Sequence, residues 1–397
     1  MAHLYFMPFA SRRILILMES KSHVFNSRVA VGIRPLHSIT PTWFTHEEGC
    51  EVSDYTLQKR HKKLLFRRNR HAESMYVINE RVADMLLDKL GNDLKQDSGR
   101  SIFEINPGPG VLTKKLLQSG FERIRVFEPH NEFIPYLKIL ESQYPHNLVL
   151  VPKDLTTIHT LSTRCKTSES TMLEGISRRP WHEDSPVTIV GVLPWKQYTF
   201  LRHMLWRLSN MSGLFSLGRC QFCLYIPHKE YWYMTAEPGI LLSRYRATTV
   251  YYRLFFDIKL LHREPRSSFH PPGSEQIVKS SGKTFKDDGH MYLVELTPKR
   301  DLLEQLPKER LPELYFFVRQ LMNARKAKLI AIMEQWVPKC GPRLIKQGYT
   351  IYTRTGDLTP RNYMEVFKQL SSWSEYPDSS FSAAIQTVKE QMDDLTS

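Results

Sequence analysis

Ser101-Ile-Phe-Glu-Ile-Asn-Pro-Gly-Pro-Gly-Val-Leu-Thr113 decides how this chain folds. Ser101 to Ile105 reads as a short apolar strand, and the stretch from Val111 to Gly120 has the apolar spacing of a helix. Between them Gly108 and Gly110 let the backbone pass where a Cβ would collide, and the helix start presents free N–H groups. Strand, glycine turn and helix suit a nucleotide-like small molecule. The same turn also serves chains that merely reverse direction.

Moving outward, a strand from Arg123 to Phe127 ends at Glu128, about 20 residues past the glycines, where Rossmann-like units hold an acid for ribose hydroxyls. A helix around Phe133 to Leu140 and a third strand, Asn147 to Val151, lead to a second acid, Asp154. Either acid alone reads equally well as a solvated loop carboxylate. At regular strand–helix spacing the two read together as nucleoside contacts. A dinucleotide fold requires Gly-x-Gly-x-x-Gly, but Thr113 stands at the third glycine position and Pro107 and Pro109 flank Gly108, so a nicotinamide or flavin enzyme is excluded. Glu104, Gly108, Gly110 and Thr113 fit a turn that seats an amino-acid-bearing sulfonium cofactor. A fourth strand, Val187 to Val192, runs into Leu193-Pro194-Trp195, where an amine-methylating enzyme of this layout presents its target.

Glu104-Ile-Asn-Pro-Gly-Pro-Gly-Val-Leu-Thr113, Glu128, Asp154 and Leu193-Pro194-Trp195 together resemble the rRNA dimethyladenosine transferase family and, within it, the mitochondrial transcription factor B group. Tyr76-Val77 ahead of Arg81-Val82-Ala83, and Glu264-Pro-Arg-Ser-Ser-Phe269, share in the likeness, which runs from Tyr76 to Leu370. The resemblance implies an α/β fold, with a Rossmann-like class I methyltransferase sheet and a smaller all-helical C-terminal domain. It also implies S-adenosyl-L-methionine held by Val77, Gly108, Gly110, Glu128 and Asp154, with Glu128 on the ribose and Asp154 near the adenine, and a target base at Pro194 and Trp195. Two residues depart from the family pattern. Methylating relatives carry Asn or Asp before Leu-Pro-aromatic, where this chain has Val192, and Asn106 replaces a glycine. Valine neither accepts nor donates a hydrogen bond, whereas Trp195 keeps a ring on which a flipped base can stack. The cofactor pocket is therefore expected to be retained more fully than the chemistry.

With 397 residues, 41% of them hydrophobic, the chain is long enough for one large and one smaller domain, and its net charge of +14 favours polyanionic partners. Residues 1–45 carry Arg12, Arg13, Lys21, Arg28 and Arg34 against the single acid Glu19, the composition of a mitochondrial transit peptide. Ile14 to Met18 is too short to span a bilayer, so no membrane insertion is expected. A basic linker, 46–71, contains Lys59-Arg-His-Lys-Lys-Leu-Leu-Phe-Arg-Arg-Asn-Arg70, suited either to phosphates or to a solvated face. Cys50, Cys165, Cys220, Cys223 and Cys340 form no disulfide framework, and the Cys220/Cys223 pair lacks the second pair a structural zinc site needs. No metal site is expected.

The methyltransferase-like domain is assigned to 72–298, beginning with a helix at Glu80 to Leu90. It includes a polar insertion, Thr156 to Ser185, a helix Phe200 to Ser209, a strand Gln221 to Ile226, a helix Lys229 to Thr235, a long strand Thr248 to Leu261, and an irregular loop at Pro271-Pro272-Gly273. A last, antiparallel strand is expected at His290 to Leu296. The helical domain, 299–375, shows one helical pattern over Leu311 to Trp336, with Arg319, Arg325, Lys326 and Lys328 on its polar face, and a helix Pro360 to Leu370. There the resemblance implies nucleic-acid contacts at Asn323, Arg325, Lys326 and Lys328. Residues 376–397 are read as a tail, loose after Glu390.

Two functional classes are consistent with these readings. In one, the chain is a transcription initiation factor of the mitochondrial matrix nucleoid, with weak or lost methylation. The resemblance then implies the mitochondrial RNA polymerase, promoter DNA and the mitochondrial high-mobility-group-box transcription factor as partners. In the other, it dimethylates adenines of mitochondrial small-subunit rRNA.

Overall fold

Seven strands make one sheet: β1 (Ser101–Ile105), β2 (Ile124–Phe127), β3 (Leu148–Val151), β4 (Val187–Val192), β5 (Gln221–Pro227), β6 (Phe256–Pro265) and β7 (His290–Pro298), in the order β3-β2-β1-β4-β5-β7-β6. The computed structural model describes residues 75–91, 97, 99–157, 172–193, 199–239, 244–270 and 288–394. The expected transit peptide, the basic linker, Cys50, Cys165, Pro194, Trp195 and the loop at Pro271 to Gly273 lie outside them.

Strands β3 to β5 of this order pair in parallel, and β7 runs antiparallel between β5 and β6. Every residue of β1 and β4 is buried, as expected for parallel strands covered on both faces. The chain turns back past β1 when it lays down β4, so the strand order reverses between these two. Their carboxyl ends therefore form the crevice in which open α/β sheets bind ligands.

Helices α1 (Glu80–Leu90), α2 (Val111–Gln118), α3 (Ile134–Gln143), α4 (Thr199–Ser209) and α5 (His228–Thr235) arise where the apolar spacing places them. Helix α1 starts at Asn79, whose side chain accepts the Arg81 N–H, and it buries Val82, Ala83, Leu86 and Leu90 at helical spacing.

The stretch Thr248 to Leu261, expected as one long strand, is two elements. Ala247–Phe255 is helix α6, and only from Phe256 does the backbone join the sheet as β6. Its β-branched and aromatic residues suit a strand, but Val250, Tyr251, Leu254 and Phe255 are buried at helical spacing, so tertiary packing overrides local preference. Helix α6 joins the sheet to the C-terminal helices. The Tyr251 hydroxyl donates to the Tyr315 carbonyl at 2.7 Å, and the two rings stack at 4.1 Å.

After the short helix α7 (Leu302–Gln305) come α8 (Leu311–Asn323), α9 (Leu329–Trp336), α10 (Gly341–Lys346), α11 (Pro360–Ser372) and α12 (Ser380–Asp394). They share one hydrophobic core with the sheet, which runs from Phe103 and Phe222 to Leu314, Phe317 and Phe367. Leu311 to Trp336 is not one helix but two. The break is satisfied elsewhere: Leu329 N–H donates to the Thr353 carbonyl at 2.9 Å, Thr355 N–H to Ala327 at 3.0 Å and Gly356 N–H to Arg325 at 3.0 Å. Nor is the segment after Glu390 wholly loose, since α12 continues to Asp394 and buries Phe381 and Ile385.

Candidate functional site

The turn after β1 is held open by three left-handed residues, Asn106 at φ 51°, Gly108 at φ 55° and Gly110 at φ 85°. Asparagine tolerates this region better than most side chains, and here its side chain is also used. Asn106 Nδ2 donates to the Val192 carbonyl at 2.8 Å and ties the end of β1 to the end of β4. Each glycine leaves room for protein atoms. A Cβ on Gly108 would stand 2.6 Å from Tyr76 Cδ1, and one on Gly110 would stand 2.9 Å from Leu140 Cδ1 and 3.1 Å from Leu137 Cδ2. Gly191 is equally constrained, because a Cβ there would collide with the Ile105 carbonyl oxygen. Sequence reasoning missed it, although a glycine inside an apolar strand signals close backbone approach.

Glu128 reaches back to the turn. One carboxylate oxygen accepts the Gly108 N–H at 3.0 Å and the other the His130 N–H at 2.9 Å. Burial pushes its pKa up to about 7, against those two bonds, and the charge of Asp154 adds to the rise. Asp154, three residues past the end of β3, lies on the same edge of the sheet. Its Oδ1 accepts the Thr156 N–H at 2.8 Å and the Thr156 hydroxyl at 2.7 Å, holding a short 3₁₀ turn, Leu155–Thr157. Beneath the turn, the Thr113 hydroxyl donates to Glu104 at 2.7 Å, and complete burial pushes Glu104 up to about 8.

Val77 is buried beside Tyr76, and that segment is strapped across the turn. Tyr76 exchanges backbone hydrogen bonds with His270, its N–H donating at 2.8 Å and its carbonyl accepting at 3.1 Å, and its ring packs 4.8 Å from Phe133. Glu264, buried at the end of β6, takes the Arg81 guanidinium of α1 and the Ser268 hydroxyl, the latter at 2.6 Å. The Glu264 to Phe269 motif thus fastens Tyr76 and Val77 over the glycine turn. Nothing local in the sequence signals this, because the two segments lie far apart in the chain.

At the end of β4, Val192 is fully buried, and the next residue, Leu193, donates its N–H to the Tyr225 carbonyl at 2.8 Å. Val192 brings no polar side-chain atom to the site.

Of the predicted nucleic-acid residues, Asn323 closes α8, and Arg325, Lys326 and Lys328 sit in the break before α9, not on the polar face of one helix. Arg325 donates to the Tyr245 carbonyl at 3.0 Å and Lys328 to the Tyr352 carbonyl at 2.9 Å, so both brace the turn. Asn323 and Lys326 are exposed. Cys220 and Cys223 are buried thiols whose pKa burial raises strongly, and no metal-ligating cluster occurs among the described residues.

The sheet order, the crevice between β1 and β4, and an acid at the end of β2 bonded to the glycine turn define a class I methyltransferase fold. Residues 65–372 match the sequence pattern of the ribosomal RNA adenine dimethylase family, and the chain belongs to that family. It is similar to dimethyladenosine transferase 2, mitochondrial, of Drosophila melanogaster, with 28% identity over 373 residues covering 82% of each chain. The Homo sapiens protein of the same name is 27% identical over 311 residues, which cover 74% of this chain and 77% of that one. A solved dimethyladenosine transferase from Plasmodium falciparum aligns with a TM-score of 0.49 and 15% identity over 75% of this chain and 97% of that one. The relatives are mitochondrial by name, which supports a mitochondrial location for this chain. Among the described residues no helix is long and apolar enough to cross a membrane.

The cofactor of this family is S-adenosylmethionine, and the residues present suit it. Glu128 spends one acceptor position per oxygen on backbone N–H groups, and a carboxylate has about four in all, so capacity for ribose hydroxyls remains.

Proposed function

We propose that this chain is a mitochondrial transcription initiation factor, built on an rRNA adenine dimethyltransferase body, that assists the mitochondrial RNA polymerase in opening promoter DNA within the matrix nucleoid. Val192 carries the reading. When bound, S-adenosylmethionine supplies an electrophilic methyl group; the protein must hold the target amine in line with it and stabilise the charge that develops on nitrogen. The Val192 side chain has no acceptor for that amine, and the Asn106 Nδ2 nearby is already directed at the Val192 carbonyl. Removing one such pre-organised partner costs on the order of 10²–10³-fold in rate. Val77, Gly108, Gly110, Glu128 and Asp154 would still hold the cofactor, while Pro194 and Trp195 would border the target base.

The net charge of +14 supports a polyanionic partner. The polymerase, promoter DNA and the high-mobility-group-box transcription factor are the partners the resemblance implies, with Asn323, Arg325, Lys326 and Lys328 as a nucleic-acid contact. The second reading, an active small-subunit rRNA dimethyladenosine transferase, is favoured by the Gly108–Glu128 bond, which keeps the cofactor turn in order.

Reconstitution with the cognate polymerase on a supercoiled promoter, scored for duplex opening, tests the first reading. Opening should require this chain; equal opening without it would overturn the proposal. Primer extension across the rRNA hairpin after depletion tests the second, since loss of the dimethyladenosine stops would show working methylation.

A further inference from the structure

Helix α5 begins where β5 ends, on the same edge of the sheet as the glycine turn and Val192. It carries Tyr231, Trp232 and Tyr233 in succession. Successive helical residues point about 100° apart, so three consecutive aromatics cannot all enter one core. Glu230 and Met234 take the buried positions, and the three rings are left half-buried.

Cations lie over two of these rings. The Arg244 guanidinium lies over Trp232, Arg246 lies 4.7 Å from the centre of the Tyr233 ring, and Lys229 lies 6.0 Å from that same ring. Alongside, His228 stacks on Tyr292 at 4.9 Å and Arg263 lies 5.1 Å over the Tyr292 ring. The carboxylates nearby are otherwise engaged: Glu230 is buried with Arg202, Glu237 pairs with Arg253, and Asp288 takes the Tyr292 hydroxyl. Arg244 and Arg263 form no ion pair with a carboxylate among the described residues. A cluster of like charges repels itself, and a polyanion relieves that cost.

We propose that α5 with Arg244, Arg246 and Arg263 is a docking surface for an unpaired DNA strand. Aromatic rings offer stacking surface to a base, and guanidinium groups held over their faces supply N–H donors for phosphate. A duplex keeps its base faces covered by stacking and offers phosphates only, so the surface discriminates in favour of single strands. An apolar protein partner would leave the Arg244 and Arg263 charges without counterions among the described residues. The proposal rests on the reading that this chain handles opened strands, and it places such a strand on the sheet edge that bears the cofactor turn.

The test uses the full chain without polymerase, so that it can fail independently of promoter opening. Fluorescence anisotropy would be measured with a labelled single-stranded DNA oligomer, the RNA of the same sequence, an abasic DNA of the same length and a duplex. Trp232→Ala should weaken single-strand binding about fivefold or more and leave duplex binding unchanged. It should also remove the preference of the wild-type chain for the base-bearing over the abasic strand. Tighter binding of the RNA than of the DNA of the same sequence would overturn the assignment to DNA. Arg244→Gln with Arg246→Gln should flatten the salt dependence by about 1.4 in slope, two phosphates at about 0.7 each. Trp232→Phe, which keeps a ring and the packing, should restore single-strand affinity. Equal affinity of wild-type chain and Trp232→Ala for the single strand, or no preference of the wild-type chain for bases over abasic sites, overturns the proposal. If promoter opening fails to need this chain while the Trp232 effect persists, the docking surface stands and the initiation reading falls.

Discussion

Replacing Gly108 by alanine tests whether the glycine turn and its strap act as one unit. Alanine at φ 55° takes on a left-handed backbone that costs an L-residue about 1 kcal/mol. The new methyl would also stand 2.6 Å from Tyr76 Cδ1, where ordinary carbon contacts lie at about 3.5–4.0 Å. The ring cannot simply retreat: Phe133 packs 4.8 Å away and the Tyr76 backbone is laddered to His270. An off-rotamer shift and a weakened aromatic pair add about 1–2 kcal/mol. Gly108→Ala should therefore lower stability by about 2–3 kcal/mol in urea unfolding. In a Tyr76→Ala background the two ring contacts are gone and only the Cβ contact at 3.1 Å remains, so the same substitution should cost little more than the backbone part, about 1 kcal/mol. Tyr76→Ala by itself leaves a cavity and destabilises by about 3 kcal/mol, so the reading lies in the coupling and not in either single variant. Calorimetric titration with S-adenosylmethionine should show affinity lost in Gly108→Ala. An equal cost in both backgrounds would refute the packing of Tyr76 on the turn; unchanged affinity would refute the turn as the cofactor's seat.

Two further outcomes depend on charge. Glu104 has its pKa raised to about 8 in the fold from the ordinary value of 4.5, so between these two values the unfolded chain gives up a proton that the folded one keeps. Stability should fall as pH rises through that window, by about 1.4 kcal/mol per unit, and level off above it. Glu104→Gln should remove about one proton from the slope in urea melts between pH 5 and 8; parallel profiles for the two proteins would contradict a protonated Glu104. At the break between α8 and α9, Arg325→Ala should lower the melting temperature, losing a bond to the Tyr245 carbonyl worth about 1 kcal/mol, whereas exposed Lys326→Ala should leave it unchanged. Lys326→Ala should instead reduce the salt slope of nucleic-acid binding by about 0.7–0.9, and an unaltered slope would remove Lys326 from the interface.

Features legible in the sequence and features hidden from it divide along the distance over which each is decided. Strand β1, the turn, helix α2 and the acid at Glu128 were legible because their signals lie within about 30 residues of one another, the length of a strand–helix–strand unit. The break at Ala324 to Lys328 was not legible, because apolar spacing continues through it and its backbone groups bond to residues 353–356. Helix α6 was hidden in the same way: valine, threonine and tyrosine argue for strand, and only packing on α8 through Tyr251 and Tyr315 argues for helix. At the glycine turn the sequence displays one reason for the glycines and the structure adds another. Gly108 and Gly110 look like openings for a ligand, yet the nearest atoms at those openings belong to Tyr76, Leu137 and Leu140. The glycines of this turn thus serve packing, and that job is the one that no stretch of sequence displays. Val192 is the converse case. Its apolar side chain is plain to read, but its consequence depends on Asn106, 86 residues earlier, which turns its amide onto the Val192 carbonyl and closes β1 onto β4. The two departures from the family pattern therefore meet at one hydrogen bond. Any variant that places an acceptor at position 192 must be judged together with residue 106, since the pair and not the valine alone sets which polar groups the end of β4 offers.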